Sequence, residues 1–481
     1  MLTIPGVEIT VVKELVPRGL AAAGTLGIVG PCEIANTDQP LRELSTIQEF
    51  RDLFGAGSIT SMPEVELAFA NGLRAVIVAA LPATAGVAAT ATIPVSQTSA
   101  GGDTRVEQMA VTARAAGRWG NDLRVRFLSK GAGSAQAVDV FIYTSDAAVA
   151  NNRAAETFRN LSTQASDPRF FMSVINGESG LIRMAPVIPA FIAGGGSAMP
   201  ENTNATAAPT PLINGQEATV AEYSAALERL ETQPQIDMVI ASNLISSTTI
   251  ATELYSTVIS HCEAMSRKAQ NRIGFGQIVP HGTARPDIDA ARTMAGVLTS
   301  DRFVLTAPFG TVGAVAGLVS GQQYFRSPTY KTLRGIVAPN FDFTDGDLRA
   351  LLRAGLLPVD KLPRKGVAVI KGIATSQEQI NVQRTADRAV RTVQNIAIDY
   401  VGLLNNQAQR SALRQRIDEA FNAMFREGAL VPSADGLSPP YEVEVTATNA
   451  EAAAGIVRIG IAVRPVRAID FIYATLNVKA F

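Results

Sequence analysis

The 481 residues predict a multidomain α/β protein: a doubly wound core interrupted by a β-rich part and followed by an α+β part. Three observations carry that expectation. Apolar strand-like runs alternate with amphipathic helical runs between residues 25 and 95, and again from 217 onward. Between them, from about 96 to 205, short alternating segments are separated by glycine, asparagine and serine, the texture of a β-sandwich or small barrel. Beyond about 355, two long helical patterns precede two alternating strands, and both chain ends read as extended.

The opening "IPGVEITVVKELVP" sets Val7, Ile9 and Val11 against Glu8, Thr10 and Val12 between prolines. A strand this early has no hairpin partner nearby, so its backbone groups must pair elsewhere. "TLGIVG" (25–30) and "RAVIVAAL" (74–81) are continuous apolar strands of the kind covered on both faces. Between them "LSTIQEFRDLFGAG" reads as a helix opened by Ser45 with Gln48 or Thr46 with Glu49 and stopped at Gly55. Ser61 and Glu64, around Pro63, read as caps of a second helix. Trp119, the single tryptophan, sits on a turn hinged by Gly117 and Gly120 before the alternating strand "LRVRF". The residues leave a ligand clamp and a packed corner both open. The stretch 192–215 reads as a low-complexity loop without its own core. Helices and strands alternate again from 217, and Leu413, Ile417, Phe421 and Met424 recur at helical spacing as one buried stripe.

Charge nearly cancels, 42 basic against 43 acidic residues, which gives no general reason to bind nucleic acid. No run reaches the ~18 apolar residues of a membrane span, and the opening lacks the pattern of a cleavable signal. Cys32 and Cys262 suit free thiols in a reducing compartment. Charged residues are sparse at 18%, which fits either a surface that meets protein or an alanine-rich genome.

A search for chemistry finds no assembled site. His261 lies inside a helical pattern, and "HCE" lacks the Cys-x-x-Cys that would complete a zinc signature. His281 follows Pro280 at a strand end but has no nucleophile motif with it. "FGAGS" ends a helix, and "GGG" (194–196) has no following Lys-Ser/Thr, so neither cradles phosphate. Asp287 and Asp289 fall on helix surfaces. No enzyme, cofactor or metal is expected. Arg384, Arg388 and Arg391 recur at i, i+4 and i+7, and Arg410, Arg414 and Arg416 follow on the next helix. These form either an ordinary solvated face or a contact for an acidic partner surface.

Several segments taken together resemble the sheath protein of contractile phage tails, a family that also serves tailocins and phage-like injection systems. They are the opening Pro5, Gly6 and Val7, "AAGRWGNDLRVRF", "AAETFRNLS" (154–162), "ALERLE" before "IDMVIAS", "PFGTVGAVAGLVSGQQYFRSPTYKTLRGI", "FREGAL" and "VRPVRAIDFIYATLNV". The family's glycine-aspartate-glycine loop is reduced here to Asn214 and Gly215. The resemblance implies a subtilisin-like α/β core without the catalytic triad, an inserted β-sandwich or barrel domain, an α+β C-terminal domain and extended terminal arms. The divisions expected are 1–24 (arm), 25–95 (first part of the core), 96–205 (outer β domain), 206–355 (subtilisin-like domain), 356–465 (inner domain) and 466–481 (arm). It implies hexameric rings stacked helically around a tail tube, with baseplate and tail terminator proteins as partners. It further implies a place in a virion tail assembled in the host cytoplasm, without direct binding to nucleic acid or insertion into membrane. Pro5, Gly6, Val7, Ile9 and Val11, with Ile469, Phe471, Tyr473, Leu476 and Val478, would exchange strands between subunits. Arg384, Arg388, Arg391, Arg410 and Arg414 would face the tube, and Trp119, Gly117 and Gly120 would pack a β-domain corner.

Overall fold

Thr25–Gly30 forms the first strand, β1, and all six residues are buried because the sheet it enters is covered on both faces. The computed structural model describes residues 24–32, 40–55, 62–82, 84–130, 137–185, 196–201, 208–245, 247–280, 285–336 and 343–470. After β1 come β2 (Glu43–Leu44) and α1 (Ile47–Phe54), whose start is closed reciprocally by Thr46 and Glu49. α2 (Pro63–Ala70) begins differently, at Met62 with a φ of 49° and no side-chain cap. The capping role expected of Glu64 is therefore corrected: its carboxylate turns inward to Ser242. Ser61 lies outside the described residues. β3 (Ala75–Ala80) is again buried throughout.

The chain then leaves this sheet. It forms β4 (Thr90–Thr98), β5 (Thr104–Ala113), β6 (Arg124–Lys130), β7 (Ala137–Tyr143), α3 (Asp146–Ala150), β8 (Glu156–Ser162), α4 (Phe171–Glu178), β9 (Ile182–Ala185), β10 (Ser197–Pro200) and β11 (Thr210–Pro211). These strands make two antiparallel sheets, ordered β10-β4-β5-β9 and β11-β6-β7-β8. Period-two burial aims Ile93 and Val95 of one sheet and Val125 and Phe127 of the other into a common core, as in a sandwich. Phe171 closes that core edge-on against Phe127, 6.4 Å away. Two expectations shift here. Residues 90–95 belong with the sandwich, because β4 pairs with β5 along its whole length. The presumed coreless loop supplies β10 and β11, which gain backbone partners that no local pattern announces.

The α/β pattern resumes with α5 (Val220–Leu230), β12 (Ile236–Ala241), α6 (Thr248–Arg267), β13 (Ile273–Gln277), α7 (Ile288–Val297), β14 (Phe303–Ala307), α8 (Val312–Gly321), α9 (Asp345–Arg353), β15 (Leu356–Leu362) and β16 (Gly366–Val369). One eight-stranded sheet results, in the order β16-β15-β14-β13-β12-β1-β3-β2. Six central strands run parallel, and β2 and β16 are antiparallel at the two edges. α5, α6, α7 and α9 cover one face; α1, α2 and α8 cover the other. The expected boundary at 355 is also corrected, since Leu356–Pro358 pair in parallel with β14 and so belong to this sheet.

α10 (Ile380–Ile398), α11 (Gln407–Arg426), β17 (Tyr441–Thr446), α12 (Asn449–Ala453) and β18 (Arg458–Val463) complete the chain. The stripe Leu413, Ile417, Phe421 and Met424 is buried against Val443 and Val463 of a two-stranded sheet. β18 stops at Val463, just before Pro465, which cannot donate to a ladder.

α2 and α8 approach until their backbones touch. A Cβ added at Gly313, Gly317 or Gly321 would lie 2.3 Å from the Glu64 carbonyl oxygen, 2.1 Å from that of Ala68 or 2.9 Å from that of Gly72. Gly317→Ala should therefore destabilise the fold by about 1–3 kcal/mol in chemical denaturation, because two helices must separate. Gly296→Ala in α7, where nothing lies within 4 Å of the added carbon, should be neutral or stabilise by up to about 1 kcal/mol. Equal losses at the two positions would refute the close-contact account.

Candidate assembly site

α10 lies across the N-terminal ends of β12, β13 and β14, and a buried ionic seam joins them. Arg302, just ahead of β14, donates two hydrogen bonds to Asp387 of α10, at 2.9 and 3.0 Å, and the two side chains are 1% and 3% exposed. Arg391 donates from one nitrogen to the carbonyls of Ile236 and Asn271, each at 2.7 Å. Arg272 reaches the carbonyls of Leu230 and Gln233 and lies 2.7 Å from His261 Nε2. A guanidinium only donates, so this histidine nitrogen accepts and the ring is neutral. Asp237 is buried between the charges of Arg384 and Arg391.

The basic stripe expected on an exposed helix face is thereby corrected. Arg384 and Arg391 are buried, and Arg388 is half-buried with its guanidinium 5.2 Å from the ring centre of Tyr324. The sheet's strand ends need cations where a helical pattern suggests water. Arg414 is exposed and Arg410 is half-buried, donating to Asn405.

The β17–β18 hairpin turns Val443, Val445, Ile459 and Ile461 toward α11 and leaves Glu442, Glu444 and Arg458 outside. Each strand has one edge without a strand partner among the described residues. From β18 the chain runs back to the start of α10. The Gln379 side chain accepts from the Ala468 N–H at 2.8 Å and donates to the Ala468 carbonyl and to Asp470. Lys371 pairs with Asp470 at 3.3 Å. Ile469 points outward, 79% exposed. Of the residues expected to exchange strands, Pro5, Gly6, Val7, Ile9, Val11, Phe471, Tyr473, Leu476 and Val478 lie outside the described residues.

Strand order reverses between β1 and β12, where a doubly wound sheet commonly offers a ligand crevice. Here the chain fills it. Glu64 accepts from the Ser242 hydroxyl at 2.6 Å, Tyr223 donates to the Ser242 carbonyl, and Tyr255 donates to that of Gln277. Burial pushes the Glu64 carboxyl above its ordinary value, the Ser242 bond offsetting part of the effect. About 20 Å³ remains, room for roughly one water. Trp119 lines this crevice and packs against the sandwich core, its Nε1 donating to the Ala116 carbonyl at 3.1 Å. Gly117 takes a φ of 129°, and a Cβ at Gly120 would strike Ala89 and Ala113. His281 lies outside the described residues. No group of three or more metal-ligating side chains occurs among the described residues, and no helix among them is long and apolar enough to cross a membrane.

Residues 216–375 match the family described as the phage tail sheath protein central domain. Solved structures extend the likeness in fold along the chain. The sheath tail protein Lin1278 from Listeria innocua is 14% identical, with a TM-score of 0.51 and 94% of each chain covered. A chain of the anti-feeding prophage baseplate is 12% identical, at 0.54 over all of both chains. The helical sheath of the same system in its contracted state is 13% identical, at 0.53 over 99% of each. No curated protein matches the sequence.

The seam thus ties the matched segment, through Asp237, Arg272 and Arg302, to a helix beyond its end. Two of its groups, Asp237 and His261, are shifted in opposite senses. Burial, only partly offset by Arg384 and Arg391, pushes Asp237 up from 3.8 to about 6. Burial, with the charge of Arg272, brings His261 down from 6.5 to about 4. The contribution of Asp237 is present below its unfolded value and lost as pH rises through about 6. That of His261 is present above 6.5 and lost as pH falls through about 4. Asp237→Asn should therefore make the melting temperature rise with pH between 4 and 6.5, and His261→Gln should make it fall. Curves parallel to wild type for both variants would refute the pairing.

Proposed function

We propose that this chain is the structural subunit of a contractile sheath. Copies polymerise as stacked hexameric rings around a tail tube, in a metastable extended array that shortens and drives the tube through a target cell envelope. The sheath-domain match and the full-length likeness in fold to a contracted sheath support this reading. The observation that carries it is the β17–β18 hairpin: two strands, two edges without a strand partner among the described residues and one face seated on α11. A lone hairpin is marginal in water, and added strands would complete it. The chain's own alternating ends, residues 1–15 and 471–481, supply suitable strands from neighbouring copies; residues 466–470, expected in the arm, instead bond to Ala429, Gln379 and Lys371 of their own chain. Each arm adds about four to eight backbone hydrogen bonds worth about 1 kcal/mol apiece. Such links hold copies together while their bodies slide. Baseplate and terminator proteins are the expected partners at the ends of the array. The likeness in fold to the contracted sheath complex of an extracellular contractile injection system favours, as a second reading, an injection system over a virion tail.

Deletion of residues 1–15 or 471–481 should abolish long contractile cylinders in negative-stain micrographs while leaving a folded monomer. Full-length cylinders from either deletion would end the strand-exchange reading.

For the tube contact, the loop between α10 and α11 takes the place of the buried stripe. Ile398 at the end of α10 and Val401, Leu403 and Leu404 in the loop are exposed, and Arg410 and Arg414 follow in the first two turns of α11. Leu404→Asp with Arg414→Glu is expected to cut cosedimentation with tube several-fold, as loss of an apolar anchor and its flanking charge does, while tube-free polymers persist. Unchanged cosedimentation would remove this loop from the tube contact.

A further inference from the structure

The two edges of the eight-stranded sheet differ in charge. At one edge, segment 330–334 runs beside β16: the Tyr330 and Leu333 N–H groups donate to the carbonyls of Val369 and Val367, and the Val369 N–H donates to that of Lys331. The β15–β16 turn lies against this segment, because Lys361 and Leu362 pair with Val367 and Gly366. Lys331, Arg334, Lys361, Arg364 and Lys365 are therefore gathered at one corner, and all five are exposed. No carboxylate among the described residues pairs with them. Lys365 rests 5.6 Å from the ring centre of Tyr330, which is itself 50% exposed. Segments 331–334 and 361–366 hold five of the chain's 42 basic residues and none of its 43 acidic ones, so the rest of the chain carries 37 positive against 43 negative charges.

The opposite edge, β2 with α1 directly after it, exposes Glu43, Glu49 and Asp52 against Arg42 and the half-buried Arg51, and Arg51 is already paired with the exposed Glu66 of α2 at 3.0 Å. Eight strands put the two edges about 34 Å apart, facing opposite ways.

We propose that the basic β15–β16 corner docks on the acidic β2–α1 edge of a second copy of this chain, a head-to-tail contact that repeats from copy to copy and steers neighbours into register. Two different patches meet, so the contact is heterologous and propagates instead of stopping at a dimer. Exposed pairs are individually weak and salt-screened, which suits a contact that forms, breaks and re-forms as bodies slide. The inference rests on the sheath reading for its setting, while its test does not.

Two charge-reversed proteins are compared with wild type by sedimentation velocity at low and high salt, after circular dichroism shows that both fold. One carries Lys331→Glu, Arg334→Glu and Arg364→Glu; the other carries Glu43→Lys and Asp52→Lys. Each alone should self-associate about tenfold or more weakly than wild type, and a 1:1 mixture should recover association at low salt. Neutral Lys331→Gln with Arg334→Gln should fall between. Either of two results would overturn the proposal: variants that associate like wild type, or a mixture that fails to recover. So would wild type whose corner instead retains DNA or phosphatidylserine vesicles while association is unaffected by the substitutions. Absence of cylinders in wild type would count against the sheath reading alone, because complementation in the mixture is scored without them.

Discussion

The bidentate pair between Arg302 and Asp387 constrains everything beyond residue 375. Two charges taken out of water are tolerable together and expensive apart: removing one partner of such a pair costs about 3–5 kcal/mol. α10 is therefore either seated on the strand ends, with Arg302 held by Asp387 and Arg391 by two backbone carbonyls, or released as a unit. Because α10 shares the Ala389 and Val393 core with α11, and α11 carries the β17–β18 hairpin, the hairpin inherits the position of the sheet. A load applied at the hairpin edges passes through the seam into the α/β body.

The body itself is stiff for a related reason. Where a doubly wound sheet would leave a crevice at its reversal point, Glu64, Ser242, Tyr223 and Gln277 satisfy one another in a space that holds little more than a single water. The same Glu64 begins the row of backbone contacts between α2 and α8. One residue thus serves a polar cluster on its side-chain end and a helix crossing on its main chain.

Much of this was legible before any coordinates. β1 and β3 were readable as continuous apolar runs, α11 as a stripe of four, and α1 from Thr46 and Glu49. These signals are local, each decided by residues within two turns of one another. What escaped the sequence is non-local. Arg384 and Arg391 at helical spacing look the same whether water or buried carbonyls receive their hydrogens, and their counter-charge, Asp237, sits about 150 residues earlier inside a run that reads as an ordinary strand. β10 and β11 are too short for any period to show. Glu64 resembles a capping residue in sequence, and its direction is set by Ser242, which no spacing rule connects to it.

The sandwich is stitched shut at its neck. Val87 and Gln216 exchange backbone hydrogen bonds, as do Thr90 and Ile213, and the Gly117 N–H adds a third contact to the Val87 carbonyl. The chain that departs after β3 thus comes home almost to the point it left, and the α/β body sees only a closed collar, whatever lies outside it. Enlarging, trimming or exchanging the outer module changes the closure entropy slowly, by about 0.6 kcal/mol for each doubling of length. Lineages are free to redecorate the exterior of such a subunit at little thermodynamic penalty, and the same collar is the natural place to graft a foreign domain.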